Sequence, residues 1–234
     1  MPQTKSSAEN VATRGGDGKA LNPRDRRADP RVMRPIFAVA LAVALLGGAV
    51  DARHAFSRPG TPRHHGFALA LDRVAEEISG RRDVSVRCDT TADPSILGSV
   101  TFYGASPGRE ALLAPPVCSM LHRLWEGRRP SLACTELGHG QCGQEVLELA
   151  WAASALAHES YHLGGVRNEA AAECYGLQST ARVARRLHAP PAYAARLGTY
   201  TFWNVRPPVD YGYFSPECRD GGTLDLHPAS SVWP

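Results

Sequence analysis

The chain has 234 residues, 43% of them hydrophobic and 21% charged, a balance that suits one globular domain and excludes a disordered or fibrous protein. Its formal net charge of +3 sits in residues 1–52, which hold eight basic and five acidic side chains; the 18 basic and 18 acidic groups that follow cancel. A neutral domain with few aromatics carries no electrostatic footprint for nucleic acid and none for an anionic membrane surface.

Residues 1–32 are polar, rich in Gly, Arg and Asp and without an apolar period. They read as a disordered extension. Met33-Arg34-Pro35 then gives a basic flank to 15 apolar residues, Ile36 to Val50. That run is shorter than the ~20 residues of a membrane span and fits the apolar region of an export signal over 33–52. Val50-Asp51-Ala52 offers small residues for cleavage near Ala52, and Met33 is an alternative start. Uncleaved, residues 36–50 would form a short anchor, the chain's one route to a membrane.

All six cysteines, Cys88, Cys118, Cys134, Cys142, Cys174 and Cys218, follow this segment. An even number in an exported chain implies up to three disulfides. Cys134–Cys142, closing a small loop through Gly138, His139 and Gly140, is the expected pair. A metal site built from Cys134, His139 and Cys142 competes with it, but that spacing matches no common zinc pattern.

Residues 53–66 read as a linker, with His64 and His65 solvated. Phe67 to Ser79 keeps an apolar side at helical spacing, and Gly80 stops it. Asp83 to Cys88 alternates like a strand, as does Val100 to Tyr103. Glu110 to Ala114 makes a third strand ahead of Pro115-Pro116, and it would suit the sheet edge on which an extended peptide binds. Val117 to Trp125 is helical, and residues 127–143 form a Gly/Pro/Cys-rich loop. Gln144 to Leu163 is apolar nearly all round, which marks a buried helix. After Gly164-Gly165 a further helix runs from Asn168 through Leu187, ended by Pro190-Pro191. A shorter helix covers Ala192–Leu197, and the tail from Thr199 reads as aromatic and irregular.

The buried helix ends in His158-Glu159-Ser160-Tyr161-His162. Positions i and i+4 share a helix face, so both imidazoles can address one cation of the tetrahedral, nitrogen-binding kind. Glu159, one position round, can take a proton from a water polarised by that cation. This division of labour is why the word is H-E-x-x-H and not merely H-x-x-x-H. The plainer reading is a helix end with two hydrogen-bonded histidines. Two histidines and a glutamate closing a buried helix need a further reason, and a metal supplies one.

Across the glycine pair the chain reads Asn168-Glu169-Ala170-Ala171-Ala172-Glu173. With the HExxH word this resembles the gluzincins, the thermolysin-like zinc peptidases, over about residues 150–178, and small minimal members of that group most. Their second helix carries an Asn-Glu-Ala-x-x-Asp type motif whose first acid binds zinc and whose last orients a zinc-bound histidine. By position, the resemblance implies Glu169 as third ligand and Glu173 as partner of a ligand histidine. Only six residues separate His162 from Glu169, far fewer than in thermolysin, so the helices must form a tight hairpin in which Glu173 could also reach the metal. Without a metal, both acids would serve the helix dipole with Asn168 as cap. The metzincin word HExxHxxGxxH finds Gly165 at its glycine but Asn168 in place of its third histidine. An oxyanion donor could come from Tyr200, Tyr211, Tyr213, His188 or His227.

The expectation is therefore an exported, disulfide-stapled α+β domain, zincin-like, over residues 67–234. It would hold one Zn2+ through His158, His162 and Glu169, with Glu159 as general base and Glu173 behind, and hydrolyse peptide bonds in a peptide or protein substrate. Two alternatives stand beside it: a zincin-like module that binds metal and a partner without turnover, and a metal-free secreted domain held by disulfides.

Overall fold

In the computed structural model, which describes residues 62–90, 96–137, 142–207, 212–230 and 233–234, the architecture is α+β, with five helices and a three-stranded sheet. The N-terminal extension, the signal or anchor segment, His139 with its glycines, and Tyr211 lie outside the described residues. Helix α1 (Pro62–Ser79) begins five residues before Phe67 and takes in the end of the expected linker. Proline is tolerated there because a first-turn N–H has no helical partner to lose. Phe67, Leu71, Val74 and Ala75 are its buried stripe, and Gly80, at φ 69°, turns the chain out of the helix.

The sheet has the order β1-β3-β2, from β1 (Ser85–Cys88), β2 (Gly98–Tyr103) and β3 (Ser106–Leu113). β2 and β3 form an antiparallel hairpin, while β1 lies parallel to β3. The third strand thus starts at Ser106, ahead of the expected Glu110. Pro107 and Gly108 hid its first half, and they lie where the register slips between Val100 and Phe102, the kind of position at which strands accept such residues. More consequentially, this strand is the centre of the sheet and not its edge. The outer edge of β1 is partly closed by α1, since Asp72 Oδ1 accepts the Val86 N–H at 2.8 Å. β2 is the other edge.

Helix α2 (Pro115–Trp125) opens on its two prolines, and a 3₁₀ turn covers Ala133–Leu137. Helix α3 (Gln144–Leu163) runs where periodicity puts it and is buried on almost every side, Trp151 being its exposed large side chain. Arg81 reaches from the loop after α1 to the carbonyls of Leu163, at 2.9 Å, and Gly108, at 3.0 Å. A cation thereby meets the unpaired carbonyl end of α3 and ties it to β3. Gly165 takes φ 99°, a left-handed turn that glycine adopts without strain, and helix α4 (Glu169–Arg186) folds back on α3.

Helix α5 (Pro191–Asn204) absorbs the start of the tail expected to be irregular. Gly198 lies one residue past the expected end of the helix at Leu197 and yet inside α5. It is a contact: a Cβ there would stand 3.0 Å from the Ala181 Cβ, so its absence lets α5 close on α4. Phe202 is buried with Cys174, Leu177 and Cys218, and the later tail is pinned to α4 by Gln178. The amide of that residue donates to Leu224 O at 2.8 Å, and its Oε1 accepts the Leu226 N–H at 2.9 Å.

Three disulfides staple the fold: Cys88–Cys118, Cys134–Cys142, as expected, and Cys174–Cys218. They fit an oxidising, extracytoplasmic compartment, and no described helix is long and apolar enough to cross a membrane. Cys174–Cys218 spans 44 residues and Cys134–Cys142 only 8. Loop entropy makes the first worth about 4 kcal/mol and the second about 2.5. Urea unfolding of the two double Cys→Ser variants should show that order; equal losses, or the reverse, would refute it.

Candidate metal centre

His158 and His162 lie one turn apart on α3, and both are buried. Their Nε2 atoms are 2.8 Å apart, and Glu169 Oε2, at the first turn of α4, lies 3.3 Å from each. The three side chains form a group whose ligand atoms all fall within 4.8 Å of one another.

The other ring nitrogens settle what those atoms can do. His162 Nδ1 faces the Val166 carbonyl at 2.6 Å. A carbonyl only accepts, so Nδ1 carries the proton and Nε2 of the neutral ring presents a lone pair. His158 Nδ1 faces Glu173 Oε2 at 3.1 Å and donates to that carboxylate in the same way. When both rings are neutral, two lone pairs and a carboxylate oxygen therefore converge on one point. A proton can bridge one pair of them, whereas a divalent cation satisfies all three. Two histidines and one carboxylate are a donor set that suits a divalent transition metal, and the outward hydrogen bonds from Nδ1 are those that orient metal-bound imidazoles.

Local sequence explains the placement. Asn168 Oδ1 accepts the Ala171 N–H at 2.8 Å and so fixes the start of α4, with Glu169 its first residue. That bond also engages Asn168, the residue standing where a metzincin has its third histidine. Gly176 on α4 packs on α3, where a Cβ would meet Ser154 O at 3.1 Å and His158 Cβ at 3.2 Å. Its bareness lets the helices approach closely enough for Glu173 to reach the imidazole. Phe102 stands edge-on to His162, 6.0 Å between ring centres.

Electrostatics follow from burial among acids. Burial alone would lower the His158 pKa; the hydrogen bond to Glu173 and the charges of Glu159, Glu173 and Glu169 outweigh it and hold the pKa above its ordinary value. Burial pushes the Glu159 carboxyl up to about 7, against the opposing influence of His158 and with Glu169 and Glu173 adding to the rise. Such a carboxyl titrates where a general base works best.

Glu159 Oε2 is buried with no hydrogen-bond partner among the described residues. A solitary buried oxygen is costly unless something else, a water or a cation, meets it. The carboxylate lies against Gly98 at the start of β2: a Cβ there would be 2.7 Å from Glu159 Cγ and 2.9 Å from Oε1. Only glycine leaves room. Both residues line a cleft of about 560 Å³ that also takes in His158, His162, Glu169 and Glu173.

All five expected site residues thus share one cleft. Of the oxyanion candidates, Tyr213 lines it too. Tyr200 is buried beside the Cys142 backbone, His188 bonds to the Trp125 carbonyl at another pocket, and His227 is exposed on the tail. The Cys134–Cys142 bridge removes the thiolates a second metal site would need. Gly98, Gly176 and Arg167 were not foreseen. The glycines act only through tertiary contact, and Arg167 looked like any charge in a turn.

Dialysed protein should bind one divalent transition-metal ion per chain, read by mass spectrometry under native conditions. His162→Ala should abolish binding, and Glu173→Gln should weaken it by about 10–100-fold. Retention of metal by His162→Ala would remove the site. No family model matches the chain, and neither a curated protein nor a solved structure does, so the reading of this site rests on its own converging donor atoms.

Proposed function

We propose that the chain is a zinc-dependent peptidase acting outside the cytoplasm. The observation that carries this is the pairing of two features at the α3–α4 hairpin: three metal-competent atoms in a cluster, and beside them, on α3, a buried glutamate oxygen with no hydrogen-bond partner among the described residues, both in the cleft that β2 lines. A zinc ion bound there would supply Lewis acidity, the chemistry that makes water nucleophilic near neutral pH and polarises a peptide carbonyl.

The protein's residues do the rest. His158, His162 and Glu169 would hold the cation, and Glu173 fixes the His158 ring through Nδ1. Glu159 takes the proton of the attacking water and delivers it to the leaving amine, as a base and then an acid. Gly98 sets where that carboxylate stands. The edge strand β2 aligns an extended peptide by main-chain pairing, and Tyr213, which lines the same cleft, is the tyrosine we assign as donor to the developing oxyanion. The exposed side chains of Ile96, Leu97 and Trp151 give the cleft an apolar wall.

Cleavage of a quenched-fluorescent peptide library by the zinc-loaded chain tests this. Glu159→Gln should keep its zinc and lose about 10²–10⁴-fold in kcat. A zinc-loaded chain that cleaves nothing, or that is indifferent to Glu159→Gln, would make it a binding module and not an enzyme. Gly98→Ala should keep zinc and fold yet lose roughly 10²-fold, because the added methyl displaces the carboxylate by about an ångström. Full activity in Gly98→Ala would mean that Glu159 is not the base.

A further inference from the structure

The cleft has two chemically different ends. Gly98 stands against Glu159 and Phe102 against His162, so β2 advances in the same direction as α3. Going back along both elements leads to Ile96, Leu97 and Trp151, which are 50%, 40% and 39% exposed. Going forward leads to Arg167, whose guanidinium lies over the Phe102 ring, 5.3 Å from its centre. From Leu97 to Phe102 the wall is about 17 Å long, the reach of five extended residues.

Arg167 is the one Lys or Arg among the described residues lining this cleft. It is exposed, and among the described residues its guanidinium makes no ion pair; the ring of Phe102 is its partner. Its backbone is held by the bonds that shape the metal centre. Val166 N–H donates to Tyr161 O at 3.1 Å, Val166 O accepts from His162 Nδ1, and Asn168 caps α4. A planar fork with five donors, steadied on an aromatic face and carried on a fixed turn, is suited to a carboxylate.

We propose that Arg167 forms a carboxylate-binding subsite at the Phe102 end of the cleft, selecting peptides that place an anionic group roughly two or three residues from the bond at the metal centre. The carboxylate is an acidic side chain or the peptide's own C-terminus. This deepens the peptidase reading and rests on it for the orientation of the substrate. Binding of the carboxylate is nonetheless measurable without turnover.

The experiment uses the full chain, zinc-loaded, with Glu159→Gln to prevent cleavage. Three dye-labelled hexapeptide pools serve as probes: one with a scanned internal Glu and an amidated C-terminus, one with Gln in its place, and one with Gln and a free C-terminal carboxylate. Fluorescence polarisation should show at least one carboxylate pool binding about tenfold tighter than the Gln-amide pool. Arg167→Gln should erase that difference and Arg167→Lys should restore part of it, with zinc content and circular dichroism unchanged in both. Preference for the first pool assigns a side-chain carboxylate, and preference for the third assigns the terminus. Equal binding of all pools, binding of none, or a preference surviving Arg167→Gln overturns the subsite. Wild-type chain on the same pools separates the two readings. Carboxylate preference without hydrolysis keeps the subsite and ends the peptidase reading; hydrolysis without preference does the opposite.

Discussion

Two imidazole lone pairs and a carboxylate oxygen face one another across less than 4.8 Å, and the rest of the fold depends on tolerating that arrangement. Nothing apolar could sit between them, and none can turn away. His162 is held from behind by the Val166 carbonyl, His158 by Glu173. In a neutral, cation-free state the three acceptors repel. A positive charge placed among them relieves the repulsion, so metal binding and the stability of the hairpin are one linked quantity. Much of the molecule can be read as the means of holding α3 and α4 in register against that repulsion. Gly176 gives close approach, Arg81 ties down the end of α3, and Cys174–Cys218 clamps the helix that carries both glutamates.

The same arrangement places the two glutamates on one ring. Glu173 meets the Nδ1 side of His158 and Glu169 lies on its Nε2 side. Residues at i and i+4 share a helix face, so sequence puts both acids opposite the histidines and leaves their roles open. What separates them is the depth of each side chain. Glu169, at the capped first turn, is 46% exposed and reaches in from the cleft, whereas Glu173, at 16%, is enclosed between the helices. An enclosed carboxylate is placed to orient, and one open to the cleft is placed to share a cation with solvent or substrate.

Legibility in the sequence follows the range of the interactions. The buried helix, the histidine spacing, the glycine turn and the short Cys134–Cys142 loop depend on neighbours within a turn or two, and all are readable from residue order. Strand order is not local, and residue order alone does not show that β3 is the centre of the sheet and not its edge. Pro107-Gly108 and Gly198 look like breaks by composition. They lie inside elements because a register slip accommodates the first and close packing against Ala181 requires the second. Gly98 is the sharpest case. Nothing around it marks it, since its reason is a carboxylate 61 positions later in the chain.

That contact also explains an asymmetry in the sheet. A three-stranded sheet has two edges, and exposed edges invite unwanted pairing. β1 is partly closed by a side chain, Asp72 taking the Val86 N–H. β2 faces the cleft instead, at the one place where its backbone can approach Glu159 without a side chain intervening. Covering that edge with protein would bury Gly98 and shut off the donor cluster. Among the described residues no further strand pairs with β2, and on the proposed function this edge gives an incoming peptide something to pair with as its carbonyl arrives. On the proposed function the open edge and the missing Cβ serve one requirement, because a strand that aligns substrate beside the base must lie too close to that base to carry a side chain.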